Sequence, residues 1–113
     1  MSTAQPHFDR AMLLMEQNRH DLAEPQLRQA LAQDPNFSTA HALLALCLAQ
    51  RESFAEATDE ARRAVGLDPT EAFAHYALAS VYDHRDMFRE ALDSIRQAIH
   101  LDPNEPMFWA LLA

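Results

Sequence analysis

At 113 residues the chain has the length of one domain, enough to bury a modest core and too short for two independent ones. Apolar residues make up 49% and charged residues 23%, the composition of a folded protein rather than a disordered or fibrous one. Seventeen acidic residues face nine basic ones, every one of them arginine, and the net charge of -8 removes the cationic surface on which nucleic-acid binding depends.

The chain opens on Met1-Ser2-Thr3-Ala4-Gln5-Pro6, which has neither the basic start nor the apolar stretch of a signal peptide. No run approaches the roughly 18 uninterrupted apolar residues of a membrane span. A cytoplasmic location without membrane contact is the expectation. Further along, the segment Ala30-Leu31-Ala32-Gln33-Asp34-Pro35-Asn36 returns as Ala64-Val65-Gly66-Leu67-Asp68-Pro69-Thr70 and again as Ala98-Ile99-His100-Leu101-Asp102-Pro103-Asn104, each copy 34 residues after the last. Ala11, Ala45 and Ala79 keep the same interval, as do Ala23, Ala57 and Ala91.

Each period holds two helical patterns. In the second, His41, Leu44, Ala45 and Leu48 precede Phe54, Ala57, Ala61, Ala64 and Val65. In the third, His75, Leu78, Ala79 and Tyr82 precede Phe88, Ala91, Leu92, Ile95, Ala98 and Ile99, again at i, i+3, i+4, i+7 spacing. Alanines where the paired helices cross let the backbones approach. Pro35, Pro69 and Pro103 end the second helix of each pair, because proline disfavours α geometry in the preceding aspartate. Asn36, Thr70 and Asn104 then stand where an N-cap is wanted. Asp21 with Glu24 and Ser53 with Glu56 have capping-box spacing, and Pro25, about one turn into its helix, predicts a distorted start rather than a break. Cys47, the single cysteine, lies in the apolar run 42–49 and reads as a small buried hydrophobe that forms no disulfide within the chain.

With small residues at Ala45 and Ala57, an aromatic at Phe54 and the closing Asp68-Pro69, the period resembles the tetratricopeptide repeat family. The resemblance implies an all-α fold, a right-handed superhelical solenoid of antiparallel helix pairs. Repeats are expected at about 4–37, 38–71 and 72–105, with 106–113 beginning the first helix of a fourth, all in one domain spanning 1–113. The sequence departs from the family's pattern at His7, His41 and His75, where tryptophan is usual; Trp109 holds the matching place in the last unit. Arg10 replaces a leucine, and Asn18, Glu52 and Arg85 stand where the turn commonly has glycine.

A stack of such pairs curves, and its concave face is lined by the first helix of each pair. Matching the family pattern residue by residue puts Phe8, Met12, Leu43, Leu46, Phe73, Tyr76, Ser80 and His84 there as partner-binding residues. One family ligand mode grips the C-terminal carboxylates of chaperones through cationic side chains. The matching places here hold Phe8, Met12, Leu43, Phe73 and Ala77, so the expected partner is instead an apolar segment or amphipathic helix of another protein.

No enzymatic chemistry is expected. A single glycine, Gly66, excludes a glycine-rich phosphate cradle. His84-Arg85-Asp86 spells the start of a kinase catalytic loop, but Ala91 occupies the metal-binding position and the segment reads as a turn. His7, His41 and His75 sit on stacked helices about 8–10 Å apart, too far for one zinc centre with ligands near 2 Å. Neither a metal nor a cofactor is expected, and these histidines read as partly buried side chains at helix contacts.

The sequence given ends on Phe108, Trp109, Leu111 and Leu112, with no polar closing helix. Each large apolar side chain is worth about 1.5–3 kcal/mol when buried. Three expectations follow: the array continues, Phe108, Trp109 and Leu112 dock on another copy to give a homo-oligomer, or the chain is the N-terminal interaction domain of a larger enzyme or membrane-anchored protein.

Overall fold

A computed structural model describes residues 3–113; Met1 and Ser2, at the head of the segment read above as lacking a targeting signal, lie outside the described residues. Among the described residues seven α-helices follow one another: α1 Ala4–Glu16, α2 His20–Gln33, α3 Ser38–Gln50, α4 Phe54–Leu67, α5 Ala72–His84, α6 Phe88–Leu101 and α7 Pro106–Leu112. Consecutive helices pack in pairs, α1 on α2, α3 on α4 and α5 on α6. Each second helix also meets the first helix of the next pair, and α3 meets α5 directly. The result is an elongated stack, 37 × 27 × 23 Å. Among the described residues no helix is long and apolar enough to cross a membrane.

Alanine makes the close packing possible. Ala11 and Ala23, Ala45 and Ala57, and Ala30, Ala64, Ala79 and Ala98 are wholly buried. At such contacts added methylenes typically cost about 1–3 kcal/mol by overpacking. The largest core cluster lies between the first and second pairs, where Leu27, Leu43, Leu44, Cys47 and Leu48 meet Val81 of α5. The stack of α5, α6 and α7 has its own cluster of Ala79, Ile95, Ala98 and Phe108.

The turns inside the pairs repeat one geometry. Asn18, Glu52 and Asp86 adopt positive φ of 60°, 63° and 59°. The following amides of Arg19, Ser53 and Met87 reach back to the carbonyls of Leu14, Leu48 and Tyr82. This is the Schellman closure, in which a left-handed residue lets two amides satisfy the last helical carbonyls. The third such residue is Asp86, one place beyond the expected Arg85; Arg85 ends α5 and sends its guanidinium to Thr58 Oγ1, 2.9 Å away. Asparagine and aspartate tolerate this conformation better than other side chains, so Glu52 carries the most backbone strain.

The starts differ from the sequence reading in two respects. N-caps of α3, α5 and α7 are Phe37, Glu71 and Glu105, not the preceding Asn36, Thr70 and Asn104. Those three donate their backbone amides to the carboxylates of Asp34, Asp68 and Asp102 at 3.2, 3.1 and 3.3 Å, an Asx turn that fixes the exit from each second helix. Neither capping box forms. Ser53 stands at the N-cap of α4 without a side-chain bond. Glu56 instead accepts from Arg28 at 2.8 Å, and Glu24 accepts from Arg28 at 3.1 Å and Arg51 at 2.6 Å. The ion pairs tie the first repeat to the second and outcompete the caps. Pro25 leaves α2 unbroken.

Candidate functional site

The first helices α1, α3 and α5 present a run of partly exposed apolar side chains: Phe8, Met12 and Met15, then Leu46, then Phe73 and Tyr76. Met12 is 39% exposed. Phe8, Met15, Leu46 and Phe73 lean on the main core with one side and leave the other uncovered. Aromatic rings close the run at both ends. Phe8 stacks on Phe37 with centroids 4.6 Å apart, while Phe73, Tyr76 and Phe108 form a ladder at 5.8 and 5.4 Å. Such offset pairs add about 0.5–1.5 kcal/mol beyond their buried area.

Two residues expected in this face are not surface. Leu43 is 3% exposed and belongs to the core cluster against which Phe8, Phe37 and Leu46 pack. Ser80 is also buried. His84 is exposed at the far end of α5; its Nδ1 donates to the Ser80 carbonyl at 2.8 Å and its ring tilts over Phe54, 6.5 Å away. Phe37 was not among the expected site residues. The signal for it was there, since it stands 34 residues before Glu71 and breaks that polar position with an aromatic.

Acidic groups surround the run. Glu71 takes the Ser38 hydroxyl at 2.5 Å and the Thr39 hydroxyl at 2.6 Å, so its carboxylate lies across the start of α3. Burial pushes the Tyr76 phenol up, and the charge of Glu105 beside it adds to the rise.

The periodic histidines form a separate feature. Nε2 of His41 donates to the Pro35 carbonyl at 2.7 Å, and Nε2 of His75 to the Pro69 carbonyl at 2.8 Å. Trp109 Nε1 makes the same bond to the Pro103 carbonyl at 2.7 Å, which explains how imidazole stands in for indole at this position. On the other side Nδ1 of His7 meets Gln26 at 3.0 Å, whereas Nδ1 of His41 meets Glu60 Oε2 at 2.5 Å. Burial alone would lower the His41 pKa, but the bonds to Glu60 and to Pro35 outweigh it and the net shift is upward. The hydrogen bond from His41 holds Glu60 below the usual glutamate range against its own burial. A carbonyl on one side and a carboxylate on the other favour the doubly protonated imidazole over the neutral ring. Among the described residues no three histidine, cysteine or carboxylate side chains converge on a metal position.

The C-terminal end departs from expectation. Phe108 is only 3% exposed, seated among Ala79, Ile95 and Ala98 beneath Tyr76, so it is core and not an assembly surface. Trp109 is 49% exposed but tethered through Nε1. Leu111 and Leu112 instead line a groove of about 310 Å³ with Asp83, Phe88, Leu92 and Ile95. Phe88 is 62% exposed there. Its counterpart Phe54 is covered by His84, and the seven-residue α7 stops short of reaching that far.

The array of helix pairs is shared with known proteins. The chain aligns with the structure of YrrB, described as a TPR protein with an unusual peptide-binding site, at TM-score 0.80 and 23% identity over 97% of this chain and 57% of that one. It aligns with the first TPR of Spaghetti (RPAP3), bound to the HSP90 peptide SRMEEVD, at TM-score 0.84 and 18% identity over 96% of this chain and 86% of that one. An O-GlcNAc transferase mutant from Thermobaculum terrenum gives TM-score 0.91 and 26% identity; 97% of this chain is covered but only 21% of the transferase. No curated protein matches. Tetratricopeptide repeat models match the sequence itself over residues 8–72 and again over 72–105. With its 34-residue period, its paired helices and these matches, the chain belongs to the tetratricopeptide repeat family.

Proposed function

We propose that the chain is a non-catalytic adaptor that seats an apolar segment or amphipathic helix of another protein along its concave face. The observation carrying this is the uncovered run Phe8, Met12, Leu46, Phe73 and Tyr76 on successive first helices. An amphipathic helix lays its apolar face into such a run through anchors at i, i+3, i+4 and i+7. The three methionines Met12, Met15 and Met107 give the surface freedom to adapt to different anchors. The HSP90 peptide held by the Spaghetti domain ends in acidic residues. The first helices here offer one arginine, Arg10, on the side of α1 away from Phe8 and Met12, so a carboxylate clamp has no cations to work with.

The test is binding of a synthetic amphipathic helix, leucines on one face and glutamines on the other, followed by fluorescence anisotropy. Met12→Glu combined with Leu46→Glu is expected to weaken binding by about tenfold or more, a carboxylate being costly to desolvate against an apolar anchor. Circular dichroism should stay unchanged. Equal binding by the variant overturns the reading, as does saturable binding of the SRMEEVD peptide to the wild type.

A second reading rests on the groove around Phe88 and Leu112. An open apolar groove at the end of a solenoid can take a further helix, from another copy of this chain or from a larger protein in which this module is joined to other domains. The small share of the Thermobaculum transferase that the chain spans illustrates the second arrangement. Concentration-dependent light scattering distinguishes self-association from a monomer.

A further inference from the structure

The distribution of charge about the groove narrows the partner further. Of the nine arginines only Arg10 lies on a first helix, and it is two residues from both Phe8 and Met12, about 200° round the helix axis from them. The remaining arginines sit on second helices and in turns, where several are already engaged: Arg28 and Arg51 with Glu24, Arg62 with the Tyr82 hydroxyl, Arg85 with Thr58. The carboxylates are placed the opposite way. Glu16 lies four residues after Met12 on the groove stripe of α1, Asp83 lies seven after Tyr76 at the end of α5 where the concave face meets the terminal groove it also lines, and both are exposed. Glu71 lies across the start of α3 on the Ser38 and Thr39 hydroxyls, and Glu105 caps α7 beside Tyr76. Among the described residues no arginine forms an ion pair with any of these four.

We propose that the groove selects a basic amphipathic segment, whose apolar anchors cover Phe8, Met12 and Leu46 and whose lysine or arginine side chains meet Glu16, Asp83 and the Phe73 and Tyr76 rings flanked by Glu71 and Glu105. The proposal rests on the concave-face reading above and adds the sign of the partner's charge. Two physical effects act together. Carboxylates without a cationic partner steer and retain cations, and a ring face left uncovered by its stacking neighbour attracts an ammonium or guanidinium within about 6 Å. An acidic ligand would bring like charges together at four places and meet no compensating cation.

Three synthetic helices with one leucine face and a polar face of lysine, glutamine or glutamate test this by fluorescence anisotropy. At about 0.05 M salt the lysine peptide is expected to bind ~tenfold tighter than the glutamine peptide, and the advantage should shrink at about 0.5 M as screening sets in. The variant Glu16→Gln, Glu71→Gln, Asp83→Asn, Glu105→Gln keeps one acceptor oxygen at each position, and the Ser38 or Thr39 hydroxyl that loses its acceptor can turn to accept from the new amide; it should lose the lysine preference and retain the glutamine peptide. Glu90→Gln with Asp93→Asn on α6 should change neither. Equal affinity for all three peptides overturns the charge selection while leaving the apolar groove standing. A preference that survives the groove variant and vanishes in the α6 variant places the basic ligand on the outer face and also overturns it. Absence of binding by all three removes the groove reading and this proposal with it.

Discussion

The second helix pair and the C-terminal end use the same period to opposite effect. In α3 nine of thirteen residues are buried, from Ala40 to Ala49, whereas in α7 only Phe108 of seven is. Leu44, Leu78 and Leu112 hold one position of the repeat, yet Leu44 is fully enclosed while Leu112 lines an open groove. Sequence at that position is constant; neighbours are not. In a solenoid each unit contacts only the units beside it, so burial is decided by how many flanks are occupied rather than by hydrophobicity alone.

The sharpest way to break this comparison uses Cys47. Burial pushes its thiol up to about 12, and the side chain is fully enclosed in α3. Reaction with a thiol reagent at neutral pH should be slowed at least ~thousandfold relative to the urea-unfolded chain, because the thiolate forms only when the second pair opens. Fast labelling of the native protein would mean that the middle of the stack opens locally and is no more protected than the ends. Next comes the leucine series. Leu44→Ala is expected to cost about 2–5 kcal/mol, the usual range for an enclosed leucine, and Leu112→Ala about 1 kcal/mol or less since its cavity opens to water. Urea midpoints at constant m-value compare the two; equal losses would show that α7 is as well supported as α3.

A smaller effect separates the three histidines. His41 is raised by Glu60 and Pro35 against burial, and Glu60 is lowered by His41. A raised histidine stabilises fully below its ordinary value of 6.5 and loses that contribution as pH climbs through its folded value. A lowered glutamate stabilises fully above 4.5 and loses that contribution as pH falls through its folded value. Both terms are complete between those limits, so stability should peak at mildly acidic pH and fall toward pH 8. Glu60→Gln converts the pair into the arrangement His7 already has with Gln26. It should cost about 1–2 kcal/mol at pH 5.5 and flatten the decline above pH 6.5. An unchanged slope in denaturation followed across pH would assign the decline elsewhere.

Much of this was legible because the repeat writes the same instruction three times. The aspartate and proline at each 34-residue mark, the alanines at crossings and the helical spacing of Phe54 or Phe88 depend on local geometry, which a single chain displays. What could not be read depends on competition between distant groups. Glu56 has capping-box spacing with Ser53, but an arginine 28 residues earlier claims it. Leu43 fits the groove position of the family, yet in this chain Phe8 and Phe37 lean on the cluster it belongs to. Phe108 was expected at the open end because no later helix was visible to cover it. The stack supplied cover from behind, through Tyr76 and Ile95.

The smallest stability effect is expected at Phe88. Phe54 and Phe88 open successive second helices at the same repeat position, but only Phe54 has a ring tilted over it. Phe88→Ser removes a side chain that is already largely wet, so the unfolding free energy should move by no more than about 0.5 kcal/mol. Phe54→Ser strips the contact with His84 and should cost about 1–2 kcal/mol more. If the Phe88 change destabilises as much as its counterpart, something covers the terminal groove in solution. The cost would then grow with protein concentration if the cover is a second copy, because association stabilises only the folded state. Running the pair of substitutions at two concentrations thus separates an end that is simply open from one that is occupied.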